Sequence, residues 1–112
     1  MDKWQQQLHF VIKAKAFLTG ELALRALKTK RVHYVILATD TSPSHRQSIL
    51  ERLNFYQIPY RITLTKENLA TLTQKKQVVM LAITNQQLAQ SLIEKETAYE
   101  ENRTSSSGKY PG

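Results

Sequence analysis

Residues 32–43 read VHYVILATDTSP, an apolar run that leads into the start of a helix. The first eight residues are rich in β-branched side chains and apolar on both faces, which is typical of a buried, central, parallel strand. Ser42 suits an N-cap and Pro43 the first helical position, so we predict a helix from there to Phe55. A buried strand that leads directly into a helix predicts an α/β fold with crossover connections.

Strands and helices continue to alternate on either side of this stretch. A short edge strand is predicted at 16–18, and further apolar strands at 60–64 and 78–83. Strands that alternate with helices require crossovers, which cover both faces of a sheet. The pattern therefore predicts a single-domain, three-layer α/β/α sandwich.

The remaining helices are predicted from apolar stripes and from their first residues. One covers 2–16, one covers 20–29, and one follows a Thr65 N-cap. The last starts at Thr84, which has capping-box spacing to Gln87. The stripes predict which side chains face inward, among them Trp4, Leu8, Val11 and Ile12 in the first helix and Leu22, Ala23, Ala26 and Leu27 in the second.

The length of the chain, 112 residues, fits one domain with its own core. We predict that residues 1–93 form this domain. Residues 94–112, EKETAYEENRTSSSGKYPG, carry few apolar groups, mixed charge and a Ser-Ser-Ser-Gly run. That composition predicts a helical extension followed by a disordered polar tail.

The charge of the chain favours a polyanionic partner. Sixteen Lys and Arg residues stand against nine Asp and Glu, a net charge of +7. Such a balance points to nucleic acid ahead of an anionic membrane. The absence of cysteine excludes a disulfide framework, a thiolate zinc site and a cysteine nucleophile. No apolar run approaches the ~18 residues that span a bilayer, so we expect a cytoplasmic protein. We also expect a monomer.

A basic stretch at 13–31, KAKAFLTGELALRALKTKR, is the first candidate binding segment. At its centre Thr19, Gly20 and Glu21 open a helix, whose first backbone N–H groups can bind a phosphate. Six Lys and Arg side chains surround this helix start. The alternative is a solvated helix face with a suitable N-cap and no ligand.

The sequence offers no catalytic constellation. The three glycines follow no phosphate-loop pattern, and the three histidines lie in different elements without ligand spacing. Asp40, at the end of the central strand, is the strongest enzymatic candidate because α/β folds place sites there. We expect it instead to accept local backbone hydrogen bonds in the turn. The prediction is a non-enzymatic protein with no cofactor and no metal.

Five segments, taken in order, carry a family resemblance. They are LHFVIKAKAFLTGE at 8–21, RAL at 25–27, VILATDTSP at 35–43, NFYQIPY at 54–60 and VVMLAIT at 78–84. Together they resemble the kink-turn RNA-binding ribosomal-protein superfamily, which includes the archaeal large-subunit protein seven-Ae and the eukaryotic thirty-e type. The chain looks most like the small bacterial YlxQ-type branch. The resemblance implies a ribosomal-protein thirty-e-like fold and a non-catalytic RNA-binding role in translation or another ribonucleoprotein.

The resemblance also implies where RNA binds. In that family the start of the second helix enters the kinked internal loop, and the turn before the last strand holds a bulged base and adjacent backbone. The first implied surface consists of Thr19, Gly20, Glu21 and Arg25, with Lys13 and Lys15 beside it. In our hypothesis phosphates are neutralised by Arg25, Lys13, Lys15 and Lys28. The second consists of Thr73, Gln74, Lys75 and Lys76, and ends at Gln77.

The sequence departs from the family at positions that read the kink-turn. The family's Gly-x-Asn-Glu-x-x-Lys turn uses Asn and Glu to recognise sheared G·A pairs. Counting back from Arg25, Glu21 stands where Asn is expected and Leu22 where Glu is expected. Our leading hypothesis is a protein that binds ribosomal or other structured RNA, with the ribosome as one partner. The alternative is a ribosome- or transcription-associated protein–protein interaction module whose RNA site has decayed.

Overall fold

The apolar run that begins at Val32 forms one of the two inner strands of a four-stranded sheet. The structure is a computed structural model that describes residues 2–102. The helices are α1 (Lys3–Lys13), α2 (Gly20–Ala26) with a 3-10 turn at Leu27–Thr29, α3 (Pro43–Phe55), α4 (Lys66–Thr73) and α5 (Gln86–Asn102). The strands are β1 (Phe17–Thr19), β2 (Tyr34–Leu37), β3 (Tyr60–Ile62) and β4 (Met80–Ile83).

The sheet is mixed, with the order β1-β4-β2-β3. β2 and β3 are parallel as predicted, but β4 runs antiparallel to both β1 and β2. The reason lies in the segment between β3 and β4, which does not cross the sheet. The Lys66 N–H at its start bonds Asp40, and the Val79 carbonyl at its end accepts from Ala38. The chain therefore re-enters the sheet from the end at which it left.

The two faces of the sheet are covered by separate layers. Tyr34 and Ile36 of β2 pack with buried residues of α1, α4 and α5 on one face. Val35 and Leu37 point the other way, into a core shared with α2 and α3. This alternation is the period-2 geometry of a strand buried on both sides. The predicted α/β/α sandwich is confirmed.

Two predictions about the first helices were wrong. α1 ends at Lys13, because the chain turns through a left-handed residue at Lys15 (φ 56°) before β1. Leu22 was expected in the core but is 62% exposed. Ala23, the next residue in the same turn, is fully buried, so Leu22 lies on the side of α2 that faces away from the core.

The last helix differs from the prediction at its start. Its first turn is capped by Asn85, whose Oδ1 accepts the Leu88 N–H at 2.9 Å, and not by Thr84. The helix continues to Asn102. The predicted disordered tail falls on residues 103–112, outside the described part of the chain, and the division at residue 93 stays a prediction.

Glu96 connects α5 to the sheet. It is 2% exposed, accepts a 2.7 Å hydrogen bond from the Tyr34 hydroxyl, and forms a 2.9 Å ion pair with Arg61. The Arg61 guanidinium in turn lies 4.5 Å from the centre of the Trp4 ring. A buried carboxylate needs such partners. The network therefore links α1, β2, β3 and α5.

Candidate functional site

The strand directions divide the sheet into two ends with different contents. We call the end at Thr19, Leu37, Ile62 and Met80 the upper end, where β1, β2 and β3 finish and β4 begins. We call the end at Phe17, Tyr34, Tyr60 and Ile83 the lower end. At ~3.3 Å per residue, the length of β4 separates the two ends by roughly 10–13 Å. α2, α3 and α4 all start at the upper end.

A groove at the upper end brings the two predicted RNA surfaces together. Its volume is about 360 Å³, and Gly20, Glu21 and Leu24 of α2 form one wall. The other side is formed by Gln77, Val79 and Met80. His45 and Ile49 of α3 complete the lining. His45 was missed by the sequence analysis because it follows no motif and reaches the groove only through the packing of α3 beside α2.

Glycine is favoured at position 20 by its backbone conformation, not by a lack of space for a side chain. Its φ is +63°, and a Cβ built there meets no atom within 4 Å. Residues with a Cβ disfavour this left-handed region. Thr19 occupies the N-cap position, but its side chain makes no capping hydrogen bond. Thr19 therefore occupies the predicted N-cap position, but its side chain does not cap the start of α2.

The segment between α4 and β4 supplies exposed cations. Lys75 and Lys76 are exposed, and they border a second groove of about 450 Å³ along α4. Gln77 lines both grooves and so joins them. Thr73 differs from its prediction, because it is 7% exposed and its hydroxyl donates to the Leu69 carbonyl at 2.8 Å. Its side chain therefore belongs to the core and does not face a ligand.

Gln74 shapes this segment through its backbone. It adopts a left-handed conformation (φ 58°) at the end of α4, and the Lys75 N–H donates to the Ala70 carbonyl at 3.0 Å. A helix ended in this way turns sharply and satisfies its last carbonyls. Gln74 thus forms this turn at a position where glycine is usual.

Asp40 has a structural partner that the sequence analysis did not identify. Its Oδ1 accepts the backbone N–H of Lys66 at 2.9 Å, across 26 positions of the chain. We predicted a local acceptor, but the bond ties the β2–α3 turn to the start of α4. Thr65 caps the same helix through a reciprocal capping box with Asn68. Both contacts stabilise the upper end.

The other predicted residues are not all at the upper end. Arg25 is exposed one helical turn after Glu21, at the end of α2, and the two form no ion pair among the described residues. Lys13 and Lys15 lie just before β1, whose first residue pairs with Ile83, so they belong to the lower end. Lys28 follows α2 and precedes β2, also at the lower end. The predicted first surface is thus divided between the two ends, because the chain crosses the length of the sheet within it.

Residues 2–93 match the Ribosomal protein L7Ae/L30e/S12e/Gadd45 family. The chain belongs to this family. The resemblance inferred from the five sequence segments is therefore confirmed. RNA-binding protein YlxQ of Bacillus subtilis (strain 168) is 26% identical over 92 residues, which cover 81% of this chain and 92% of that protein.

A solved structure supports the same L7Ae-type fold. It is a protein with unknown function from Bacillus halodurans, with a TM-score of 0.76 and 24% identity over 85% of this chain and 97% of that one. Among the side chains that the structure describes, no three His, Asp or Glu come close enough to hold a metal ion. Within residues 2–102, no helix has the length and apolarity needed to cross a bilayer.

Proposed function

We propose that this L7Ae-family protein is a non-catalytic RNA-binding protein that holds structured RNA in the upper-end grooves. The observation that carries the proposal is the meeting of the start of α2 and the α4–β4 segment at Gln77. These are the two elements with which the family resemblance implies RNA binding. The name of the Bacillus subtilis relative, RNA-binding protein YlxQ, supports the same function.

The proposed contacts combine shape with charge. The backbone N–H groups of Gly20 and Glu21 face a bulged base or a phosphate, and Lys75, Lys76 and Arg25 neutralise neighbouring phosphates. Backbone donors in a fixed groove position the RNA, while lysines contribute affinity that depends on salt. A kink-turn fits this arrangement because its internal loop presents both a bulged base and a sharply bent backbone.

Binding to three labelled RNAs tests this proposal: a kink-turn hairpin, the same hairpin with its G·A pairs disrupted, and an unrelated duplex. The proposal predicts tighter binding to the intact kink-turn at both low and moderate salt. Equal binding to all three RNAs would mean that the protein contacts phosphates without recognising the kink-turn. No binding to any of them would refute RNA as the partner.

A variant at Leu22 sharpens the test. Leu22 is 62% exposed and stands where the family carries the Glu that recognises G·A pairs. Leu22→Glu should leave the free energy of unfolding within about 0.5 kcal/mol, since the side chain packs against little. We expect it to increase the preference for the intact over the disrupted kink-turn. An unchanged preference would show that this position does not face the G·A pairs.

The exposure of Leu22 also favours the second candidate function, a protein–protein interaction module associated with ribosomes or transcription. An apolar side chain at the start of α2 suits a protein partner better than a phosphate. A pull-down with the full chain before and after nuclease treatment separates the two. Partners that persist after nuclease and are lost in Leu22→Ser would support the protein-binding function, whereas partners lost after nuclease would support RNA binding.

A further inference from the structure

The lower end of the sheet carries a second concentration of positive charge. The Ala16 carbonyl accepts the Thr84 N–H at 3.0 Å, and the His33 N–H donates to the Ile83 carbonyl at 2.9 Å. These bonds place the segments before β1 and before β2 on either side of the end of β4. Because neighbouring strands lie ~4.8 Å apart, the two basic segments enter the sheet only about 10 Å from each other.

The basic side chains at this end lie in segments that contain no acid. The five cations of the lower-end cluster are all exposed, and none is ion-paired within the described residues: Lys13, Lys15, Lys28, Lys30 and Arg31. The segments that meet at this end, 13–19, 28–33, 54–60 and 83–89, contain no Asp or Glu. Exposed like charges raise the local positive potential when no acid compensates them.

Two of these lysines occupy positions where glycine is the stable choice. Lys15 (φ 56°) and Lys30 (φ 63°) are left-handed residues that end α1 and the 3-10 turn. After α1, the Ala16 N–H donates to the Val11 carbonyl at 3.2 Å, which is the helix ending in which glycine is strongly preferred. A favourable interaction with the helix dipole explains Lys13 and Lys28, in the last turns. The helix dipole does not explain why Lys15 and Lys30, and not glycine, occupy the left-handed positions.

An exposed aromatic pair lies at the same end. Phe55 is 77% exposed, and its ring lies edge-to-face with that of Tyr56 at 4.9 Å. The chain passes from this pair to Pro59, whose carbonyl accepts the Val35 N–H at 3.1 Å, next to the start of β2. Aromatic rings beside a row of cations are what proteins use to bind unpaired nucleic acid, by stacking bases while neutralising phosphates.

We propose that the lower end is a second RNA-binding surface, which takes an unpaired RNA strand. The lower-end cluster contacts successive phosphates, and Phe55 stacks on a base. The proposal rests on the proposed function, because it assigns this strand to an RNA whose folded part lies in the upper-end grooves. The protein would then bridge a folded RNA element and an adjacent single strand.

The experiment uses the full chain and three probes: a blunt kink-turn hairpin, the same hairpin with an unpaired extension of about ten nucleotides, and that extension alone. We expect the extended hairpin to bind tighter than the blunt one. Lys15→Gln with Lys30→Gln should abolish the gain and lower the slope of log affinity against log salt by about 1.4 on the extended RNA. Equal binding of the blunt and extended hairpins would overturn the proposal.

Two control variants test whether the loss of binding comes from a general loss of charge or of fold. Lys3→Gln removes one lysine charge at the start of α1, about 15 Å along the helix from Lys13, and should leave the gain intact. Phe55→Leu should weaken binding to the extension roughly tenfold, whereas Phe55→Tyr, which keeps the ring, should not. If Lys3→Gln or Phe55→Tyr has the same effect as its counterpart, the assigned surface is wrong.

The two proposals fail in different ways. In one outcome the blunt hairpin does not bind, the extension alone binds, and Lys15→Gln with Lys30→Gln removes that binding. The proposed upper-end function then fails, and the proposed lower-end surface stands. In another outcome vesicles rich in phosphatidylserine bind, the same double variant removes that binding, and the extension does not bind. The lower end is then a membrane surface, and the RNA proposal is overturned.

Discussion

The two ends of one sheet differ in how they can hold a ligand. The upper end combines the starts of three helices and a groove of about 360 Å³, and its cations Lys66, Lys75 and Lys76 stand among the acids Glu21, Asp40 and Glu67. The lower end has exposed cations, an aromatic pair and, in the segments that enter the strands, no acid. The upper end is suited to recognising shape, and the lower end to binding phosphate.

The topology explains much of this difference. Because β1, β2 and β3 all point upward, α2 and α3 start at the upper end and run toward the lower end. Helix C-termini favour nearby cations, and helix N-termini favour anions and backbone contacts. The contrast teaches that net charge does not locate a binding site, since the exposed cations of the lower end lie at the opposite end of the sheet from the groove between α2 and the α4–β4 segment.

The largest expected effect concerns the support of the lower end. Tyr34 is the first residue of β2, Arg61 is the middle residue of β3, and Glu96 bonds both. Glu96→Ala leaves the Tyr34 hydroxyl and the Arg61 guanidinium without this partner, so we expect the free energy of unfolding to fall by about 3 kcal/mol. Urea denaturation measures this. Glu94→Ala, on an exposed position of the same helix, should change it by less than about 0.5 kcal/mol, and equal losses in both would contradict the role of the network.

The next effect concerns the groove at the upper end. Gly20→Ala should lower the free energy of unfolding by about 1 kcal/mol, because φ is +63° although the space around the Cβ is open. Gly20→Asn should cost less, since Asn tolerates this conformation. Thermal unfolding of both variants checks the order. If Ala and Asn were equally destabilising, steric contact and not backbone conformation would be limiting.

The smallest effect is a gain of stability at the lower end. Lys15→Gly should raise the free energy of unfolding by roughly 0.5–1 kcal/mol, because glycine adopts the left-handed conformation without a steric penalty. Gln57, with φ 58°, provides the matched control, and Gln57→Gly should give a similar gain. Only Lys15→Gly should also weaken binding to the unpaired RNA extension. A loss of stability in Lys15→Gly would show that the lysine is retained for the fold.

The sequence predicted the layers and α3 well because local signals agree there. Ser42 and Pro43 mark the start of α3, and the apolar run before them fits only a strand covered on both sides. The antiparallel direction of β4 was not predictable, since it depends on where a short helix and its following segment return the chain. Leu22 was misplaced because an apolar stripe does not reveal how far around a helix the buried face extends.

The candidate site was predictable only in part. The residues of the upper-end groove at the start of α2 and in the α4–β4 segment follow from the family resemblance, whereas His45 enters through tertiary packing. Lys13, Lys15 and Lys28 are near Gly20 in sequence but at the other end of the sheet. Glu96 lies in a polar segment that predicts no core residue, and its burial depends on partners 35 and 62 positions away.

The most direct test is the salt dependence of binding to the blunt kink-turn hairpin by the wild type and by two paired variants. Lys75→Gln with Lys76→Gln removes charge from the upper end, and Lys15→Gln with Lys30→Gln removes the same charge from the lower end. We predict that the upper-end pair lowers the log–log salt slope by about 1.8 and that the lower-end pair leaves it unchanged. Equal changes in both pairs, or no change in the upper-end pair, would contradict the assignment of the folded RNA to the upper end.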